Sequence, residues 1–156
     1  MKLAILAVGH KPPTWIAQGC AEYIKRMPRE LPLAVIAIKP EARGSKNREQ
    51  LLAAEKTRLL VALQNYDRMV VLDERGDDLS TQQLADRLEG WMGVGGATAF
   101  VIGGADGVDE TLKRQADETI RLSSLTLPHA LVRLILCEQL YRAISIVRKH
   151  PYHREG

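Results

Sequence analysis

The chain alternates short apolar runs with segments that have helical spacing. Five runs predict β-strands: Leu3–Val8, Leu33–Ile38, Arg68–Asp73, Ala97–Ile102 and Thr119–Leu122. The first run is uninterrupted, as is typical of a strand buried on both faces. Five segments predict helices: Trp15–Met27, Asn47–Gln64, Ser80–Trp91 with a Ser80–Gln83 capping box, a short segment capped by Asp109, and a long, almost wholly apolar segment that begins at Pro128.

This alternation predicts an α/β fold, with a mainly parallel sheet and helices on both faces. The 156 residues contain no internal repeat or linker, so we expect a single domain over residues 1–156. Three segments are predicted as connections: a mobile loop over Lys39–Lys46, a turn over Glu74–Asp78 and a glycine-rich turn over Gly103–Gly107. Sheets of this kind bind ligands beyond the carboxyl ends of their strands, which directs attention to the residues that follow them.

Composition narrows the class of protein only a little. An apolar fraction of 46% and a charged fraction of 26% are ordinary for a globular protein. The first apolar run is too short for a secretion signal, and Arg133, Glu138 and Arg142 interrupt the last one, so no membrane span is expected. Two distant cysteines without a CxxC motif favour a reducing cytoplasm and predict neither a disulfide framework nor a metal site. The net charge of +3 permits an RNA partner without requiring one.

Three strand ends carry candidate binding residues. Gly103, Gly104 and Gly107 lie between a strand and a helix, as in nucleotide-binding turns, although the spacing is neither GxGxxG nor a phosphate loop, and a plain tight turn explains it equally. Asp73 follows Leu72 at another strand end, where it could accept a ribose hydroxyl or cap the turn. Leu122–Leu127 alternates leucines with hydroxyl residues, which suits a purine base or a half-buried connection.

The final helix and the tail after it carry candidate chemistry of a different kind. Glu138 and Arg142 are four residues apart on one helix face, which predicts an ion pair or a shared ligand. In the tail, Tyr152, His153 and Arg154 combine stacking, proton transfer and phosphate contact. The pair His150 and His153 offers too few ligands for a metal. No GxSxG, HExxH or paired catalytic carboxylates are present, so hydrolase chemistry is not indicated.

Taken in order, several motifs resemble the ribosomal RNA large subunit methyltransferase H family, which belongs to the SPOUT class of knotted methyltransferases. They are MKLAILAVGHK, AEYIKR, VVLDERG, FVIGGADG, LSSLTLPHALVRLILCEQLYRAISI and HPYHRE. The resemblance runs from Met1 to Glu155 and is weakest over residues 39–66. It implies a C-terminal trefoil knot, a homodimer, and S-adenosylmethionine as the cofactor, with no metal. The implied substrate is N3 of a pseudouridine in large-subunit ribosomal RNA on the assembled ribosome.

The resemblance also implies roles for individual residues. Cofactor contacts are expected from Leu72, Gly103, Gly104, Leu122, Ser123, Ser124, Leu125, Thr126 and Leu127. The target base would be surrounded by His129, Glu138, Arg142, Tyr152, His153 and Arg154, with the tail of one subunit completing the site of the other. We expect His153 to accept the N3 proton, with Glu138 as the alternative, and Arg142 and Arg154 to hold the RNA backbone or the developing oxygen charge.

Two competing functions stay open at the level of the sequence. One is a non-catalytic, ribosome-associated RNA-binding dimer that has kept the fold. The other is a knotted methyltransferase that acts on a ribose 2′-hydroxyl.

Overall fold

The computed structural model describes residues 1–154, and of His153 it describes the backbone alone. The strands are β1 (Lys2–Val8), β2 (Leu33–Ile38), β3 (Arg68–Asp78), β4 (Ala97–Ile102) and β5 (Glu118–Arg121). The helices are α1 (Thr14–Arg26), α2 (Arg48–Leu63), α3 (Thr81–Val94), α4 (Glu110–Gln115) and α5 (His129–Val147), and a 3₁₀ helix covers Pro151–Arg154. Each predicted strand and helix is thereby confirmed, with ends displaced by a few residues.

The strands form one sheet in the order β2-β1-β4-β3-β5, and every neighbouring pair is parallel. Strand β4 lies at the centre and is buried along its whole length. Because parallel neighbours point the same way, the carboxyl ends of all five strands meet at one edge of the sheet. The predicted parallel α/β architecture is confirmed. Strand order leaves the threading of the chain undefined, so the trefoil knot stays a prediction.

Helices cover both faces of the sheet, and the alternation of side chains along the strands explains why. In β1, Leu3 and Ile5 belong to a core shared with α1, α3 and α5, whereas Ala4 and Leu6 belong to a second core shared with α2 and α4. Both sets of side chains are at most 2% exposed. A strand buried on both faces needs apolar residues at successive positions, which is the pattern that the sequence shows.

Local capping residues fix where three of the helices begin. Asn47 and Ser80 each form a capping box with the glutamine three residues later, which satisfies two backbone N–H groups at each helix start. The Asp109 carboxylate accepts hydrogen bonds from the backbone N–H groups of Thr111 and Leu112 at the start of α4. The predicted capping box at Ser80 and the predicted cap at Asp109 are both confirmed.

The predicted turn over Glu74–Asp78 is wrong, because these residues continue β3. Leu72 pairs with Ile120 of β5, the register then shifts, and Asp77 pairs with Ile120 again. Gly76 makes this return possible, since a Cβ atom there would lie 2.5–2.7 Å from backbone atoms of Ile120. Glu74, Arg75, Asp77 and Asp78 are exposed, and an exposed polar run around a glycine has the composition of a turn.

Helix α5 packs along one side against both α1 and α3. Its core side chains, Leu136, Leu140, Ala143 and Ile144, are at most 1% exposed. Its other apolar residues, among them Leu131, Leu134 and Ile135, are only half-buried in the single chain. Among the described residues, no helix combines the length and apolar character needed to cross a membrane.

Candidate active site

A cleft of about 840 Å³ opens at the carboxyl ends of β3, β4 and β5. We call it the strand-end cleft. It brings together all nine residues that the resemblance assigned to the cofactor: Leu72, Gly103, Gly104, Leu122, Ser123, Ser124, Leu125, Thr126 and Leu127. They come from three separate parts of the sequence and meet because their strands are parallel neighbours. Their assignment as cofactor contacts stays a prediction.

The glycine-rich turn forms one wall of the cleft because it can fold more tightly than other sequences. Gly104 and Gly107 form an isolated antiparallel bridge, and the Gly107 N–H donates to the Gly104 carbonyl at 3.0 Å. Gly107 has a φ of 83°, a conformation that glycine adopts without steric cost. A Cβ atom on Gly103 would collide with the Gly107 carbonyl group. The turn therefore presents bare backbone to the cleft.

The segment Leu122–Leu127 forms the opposite wall. The Ser123 hydroxyl accepts a hydrogen bond from the Leu125 N–H at 2.8 Å, which holds the start of the segment in a tight local turn. The Leu125 side chain is 75% exposed at the rim, and Thr126 is also exposed. An exposed leucine beside a cleft is available to cover an apolar ligand or to contact another chain.

A charged network lines the cleft, and the sequence alone did not single out its central residue, Lys113. Its ammonium lies 3.6 Å from the Asp73 carboxylate and 2.9 Å from the Glu110 carboxylate. The hydrogen bond from Lys113 lowers the pKa of Glu110, so this carboxyl group is ionised at neutral pH. The cleft lining as a whole carries both signs of charge, with Arg48, Arg75, Lys113 and Arg121 beside Asp73, Glu74, Asp106 and Glu110.

The predicted mobile loop is anchored at both of its sides by polar contacts. Arg43 forms an ion pair with the Asp106 carboxylate, and Arg48 donates to the Asp106 carbonyl at 2.9 Å. On the other side, the Glu41 N–H donates to the buried Glu55 carboxylate at 3.0 Å. The segment does lack helix and strand. These contacts tie it to the glycine-rich turn, a connection between parts of the chain that no local pattern could reveal.

His129 supports the cleft from behind. Its Nε2 lies 2.5 Å from the Gly103 carbonyl oxygen, and its side chain is half-buried. Burial lowers its pKa, and the neighbouring charge of Arg133 lowers the pKa further, so the imidazole is neutral at pH 7. A neutral imidazole with its proton on Nε2 donates to the Gly103 carbonyl. The structure thus places His129 against the glycine-rich turn, away from the other residues predicted to surround the target base.

Arg133 is a second ionisable residue at this end of α5. In the sequence it is visible only as an interruption of the apolar run. It is 2% exposed, and its Nη2 donates to the His10 carbonyl at 3.4 Å. Its Nε has no hydrogen-bond partner among the described residues. Together with a hydrogen bond from Cys137, its charge lowers the pKa of the Cys20 thiol to about 7. Arg133 is therefore a buried cation whose hydrogen-bonding groups are only partly satisfied within the described residues.

Glu138, Arg142 and Tyr152 form a compact group that we call the tail cluster. The predicted ion pair is confirmed: Arg142 Nε and Nη2 each lie 2.7 Å from Glu138 Oε1. The Tyr152 hydroxyl donates to the same oxygen at 3.3 Å, and Arg142 lies 5.0 Å from the centre of the Tyr152 ring. Gln139 donates to the other carboxylate oxygen at 2.7 Å. The Glu138 carboxylate is therefore an acceptor of several hydrogen bonds at once.

The tail reaches this position by folding back along α5. The Tyr152 ring packs edge-on against Tyr141 at a centroid distance of 4.6 Å, and its hydroxyl lies 3.4 Å from that of Tyr23. Burial raises the pKa of the Tyr152 phenol, as do Tyr23 and the charge of Glu138, so this hydroxyl stays protonated and acts as a donor. Arg154 is exposed. The predicted base, His153, has a side chain that lies outside the described part of the structure.

The strand-end cleft and the tail cluster lie at different places on one chain. His129 and Glu138 are nine positions apart in α5, which corresponds to about 14 Å along the axis. The tail begins beyond the far end of the helix, about 28 Å from its first residue. The residues predicted to form one active site are thus divided between the start of α5, where His129 lies, and its middle, where the tail folds back onto Glu138.

The parallel sheet and its strand-end cleft define an α/β protein of the kind that binds small molecules at the edge of the sheet. Residues 1–153 match the family model described as "Predicted SPOUT methyltransferase". The chain is 66% identical, over the full length of both chains, to "Ribosomal RNA large subunit methyltransferase H" of Dechloromonas aromatica (strain RCB). It is 57% identical, over 99% of both, to the protein of that name from Nitrosospira multiformis.

Two solved structures share the fold at low identity. The probable methylase family protein from Haemophilus influenzae Rd KW20 has a TM-score of 0.57 at 11% identity, covering 97% of this chain and 69% of that one. The putative methylase family protein from Neisseria gonorrhoeae has a TM-score of 0.56 at 14% identity, covering 89% and 81%. The chain belongs to the SPOUT methyltransferase family, and within it to the ribosomal RNA large subunit methyltransferase H family.

Proposed function

We propose that this protein transfers a methyl group from S-adenosylmethionine to N3 of a pseudouridine in large-subunit ribosomal RNA, with the assembled ribosome as substrate and the cytoplasm as its place of action. The observation that carries the proposal is the convergence of the nine predicted cofactor residues on one cleft, in a chain of this family. The names of the relatives support ribosomal RNA as the substrate class.

The strand-end cleft has the size and chemistry that S-adenosylmethionine requires. Its volume lies within the range of roughly 300–1,000 Å³ found for small-molecule sites. Leu72, Ile102 and Val132 supply apolar surface for the adenine ring, and Gly103–Gly107 lets the backbone approach closely. When bound, S-adenosylmethionine supplies a methyl group on a positively charged sulfur, which makes that carbon open to attack by a nitrogen in line with the bond that breaks.

A homodimer would unite the two groups of predicted site residues. Helix α5 spans 19 residues, and Glu138 is its midpoint. If two copies pack α5 antiparallel to α5 around a two-fold axis near Glu138, the C-terminal half of α5 and the tail of each copy face the half of the partner's α5 that begins beside the strand-end cleft. The half-buried apolar residues of α5 and the exposed Leu125 would be covered in such an interface. We therefore propose that each active site takes its cofactor residues from one subunit and its tail from the partner.

Within that site, the protein's own residues would accept the N3 proton and stabilise the negative charge that develops on the base. N3 of pseudouridine is an imide nitrogen, so its proton must leave as the nitrogen attacks the methyl group. Glu138 already accepts hydrogen bonds from Arg142, Gln139 and Tyr152, so both of its oxygens are engaged by other donors. This favours His153 as the base. Arg142 and Arg154 would then stabilise negative charge on the base oxygen or hold the RNA backbone.

The test is methyl transfer from labelled S-adenosylmethionine to intact ribosomes, isolated large subunits and deproteinised RNA, followed by nucleoside analysis. We expect 3-methylpseudouridine from ribosomes. A 2′-O-methylated nucleoside would contradict the proposed target atom. Cofactor binding without transfer would point to another substrate, and the absence of both would favour the non-catalytic RNA-binding dimer.

A complementation experiment tests the shared site. Thr126→Trp fills the cleft at an exposed position, and His153→Ala removes the proposed base. Each variant alone should be inactive, whereas a re-equilibrated mixture should recover about a quarter of the wild-type rate, because half of the dimers would contain one intact composite site. If the mixture forms dimers but recovers no activity, the site is not built from two subunits.

A further inference from the structure

A second groove, of about 540 Å³, lies where the C-terminal ends of α1 and α5 meet the start of the tail. We call it the basic groove. Its charged and titratable lining residues are Arg26, Arg148, Lys149 and His150, and its aromatic one is Tyr141. None of the residues that line it is acidic. A concave surface with one sign of charge concentrates ions of the opposite sign.

Two of these cations are held in place by carboxylates outside the groove. Arg26 pairs with Glu22 at 2.9 Å and stacks over Tyr141, with 6.0 Å between the guanidinium carbon and the ring centre. Arg148 pairs with Glu30. Lys149 is exposed, and within residues 1–154 it has no acidic partner. Within residues 1–154, an incoming anion therefore meets the Lys149 charge without competition from a carboxylate.

The backbone at Lys149 is strained in a way that its side chain does not explain. Lys149 has a φ of 58° and is the single non-glycine residue with positive φ in the described part of the chain. The His150 N–H donates to the Ser145 carbonyl at 2.7 Å, and the Lys149 N–H donates to the Ile146 carbonyl at 3.0 Å, which is the Schellman pattern that closes a helix. Glycine usually occupies this position, so the lysine is held here at a steric cost, with its charged side chain exposed at the mouth of the groove.

The basic groove is continuous with the tail cluster. Tyr141 lines the groove and packs against Tyr152, whose hydroxyl donates to Glu138. A nucleotide placed at the tail cluster would therefore have its neighbour along the strand at the mouth of the groove.

We propose that the basic groove binds phosphate groups of the ribosomal RNA strand next to the target nucleotide, with Lys149 as the principal contact and Arg148 beside it. The inference rests on the proposed function, since it concerns the RNA that reaches the tail cluster. RNA fits better than an acidic protein because the groove joins cations to stacked aromatic rings at the place where a base would be held.

The test compares two substitutions of one residue. Lys149→Asn removes the charge and keeps a residue that tolerates positive φ, whereas Lys149→Arg keeps the charge. The control is Lys2→Gln, which removes one exposed charge on the face of the sheet that carries α2, where Lys2 lies over the Tyr66 ring. Binding to intact ribosomes is measured over a range of salt concentrations, with cofactor affinity and urea unfolding measured alongside.

We expect Lys149→Asn to weaken binding several-fold and to reduce the slope of log affinity against log salt by about 0.7–0.9, the value for one phosphate contact. Lys149→Arg and Lys2→Gln should behave as wild type, and cofactor affinity should not change. The inference is overturned if Lys149→Asn keeps the wild-type affinity and slope, if Lys2→Gln loses as much, or if Lys149→Arg is as weak as Lys149→Asn.

The same samples separate this inference from the proposed function. If the wild type methylates ribosomal RNA and Lys149→Asn binds normally, the function stands and the groove assignment fails. If the wild type transfers no methyl group but its RNA binding depends on the Lys149 charge, the groove assignment stands and the proposed function fails.

Discussion

Replacing Gly76 with alanine should separate β5 from β3 and so disturb one wall of the strand-end cleft. A Cβ atom at this position would lie 2.5 Å from the Ile120 carbonyl carbon, 2.6 Å from its nitrogen and 2.7 Å from its Cα. Cβ atoms essentially never approach other atoms below 3.0 Å. All three of these neighbours are backbone atoms, so no side-chain rotation can relieve the contact, and β5 itself has to move.

The cost can be worked out from what that movement breaks. The pairings of Asp77 with Ile120 and of Asp78 with Arg121 are lost, and a backbone hydrogen bond contributes about 0.5–1.5 kcal/mol. Ile120 is 2% exposed, so its packing is disturbed as well. We expect unfolding free energy to fall by about 2–3 kcal/mol. Because Leu122–Leu127 follows β5 directly, cofactor affinity should fall about tenfold, the equivalent of about 1.4 kcal/mol.

Urea unfolding and calorimetric titration with S-adenosylmethionine measure both effects. The matched control is Gly90→Ala, at an exposed position within α3 where a Cβ atom would have no neighbour within 4 Å. That change should stabilise the protein by up to about 1 kcal/mol and leave cofactor affinity unaltered. Wild-type stability and affinity in Gly76→Ala would refute the argument, because they would mean that β3 and β5 do not approach as described.

Three further predictions concern α5 and the turn that follows it. Glu138→Gln should lower the unfolding free energy by about 1–3 kcal/mol, because it removes the carboxylate partner of Arg142, whose side chain is only 20% exposed. A double-mutant cycle with Arg142→Met measures the coupling between the two side chains. Additive losses would contradict this coupling. Burial lowers the pKa of His129, so the unfolded chain binds more protons than the folded chain. The contribution of His129 to stability is therefore present above pH 6.5 and is lost as the pH falls through the folded-state pKa. The variant His129→Gln should flatten this pH dependence of the unfolding free energy in urea. If the unfolding free energy of His129→Gln falls with pH as steeply as that of the wild type, other titratable groups cause the pH dependence. Lys149→Gly should raise the unfolding free energy by about 1 kcal/mol, because glycine adopts the positive φ without steric cost. An unchanged midpoint of thermal unfolding would show that the backbone at Lys149 is not strained.

Much of the fold was predictable because its signals are local. Leu3–Val8 and Ala97–Ile102 are strands buried on both faces, and a continuous apolar run in the sequence predicts such a strand. The helix starts at Asn47 and Ser80 depend on a side chain and a backbone group three residues apart. The candidate cofactor residues could be found by the same means, because eight of the nine directly follow strands of a parallel sheet, and Leu72 is the last residue of β3 that pairs with β4.

By itself, then, the sequence determined the elements, their caps and the strand ends from which a cofactor site could be built. Tertiary structure alone decided that Glu74–Asp78 extends β3, that His129 supports Gly103, and that the strand-end cleft lies at the start of α5 and the tail cluster at its middle. These features depend on contacts between residues far apart in sequence, such as Gly76 with Ile120. The physical reason is that capping and periodicity act over one or two turns of chain, whereas pairing and burial depend on which distant segments the whole chain brings together.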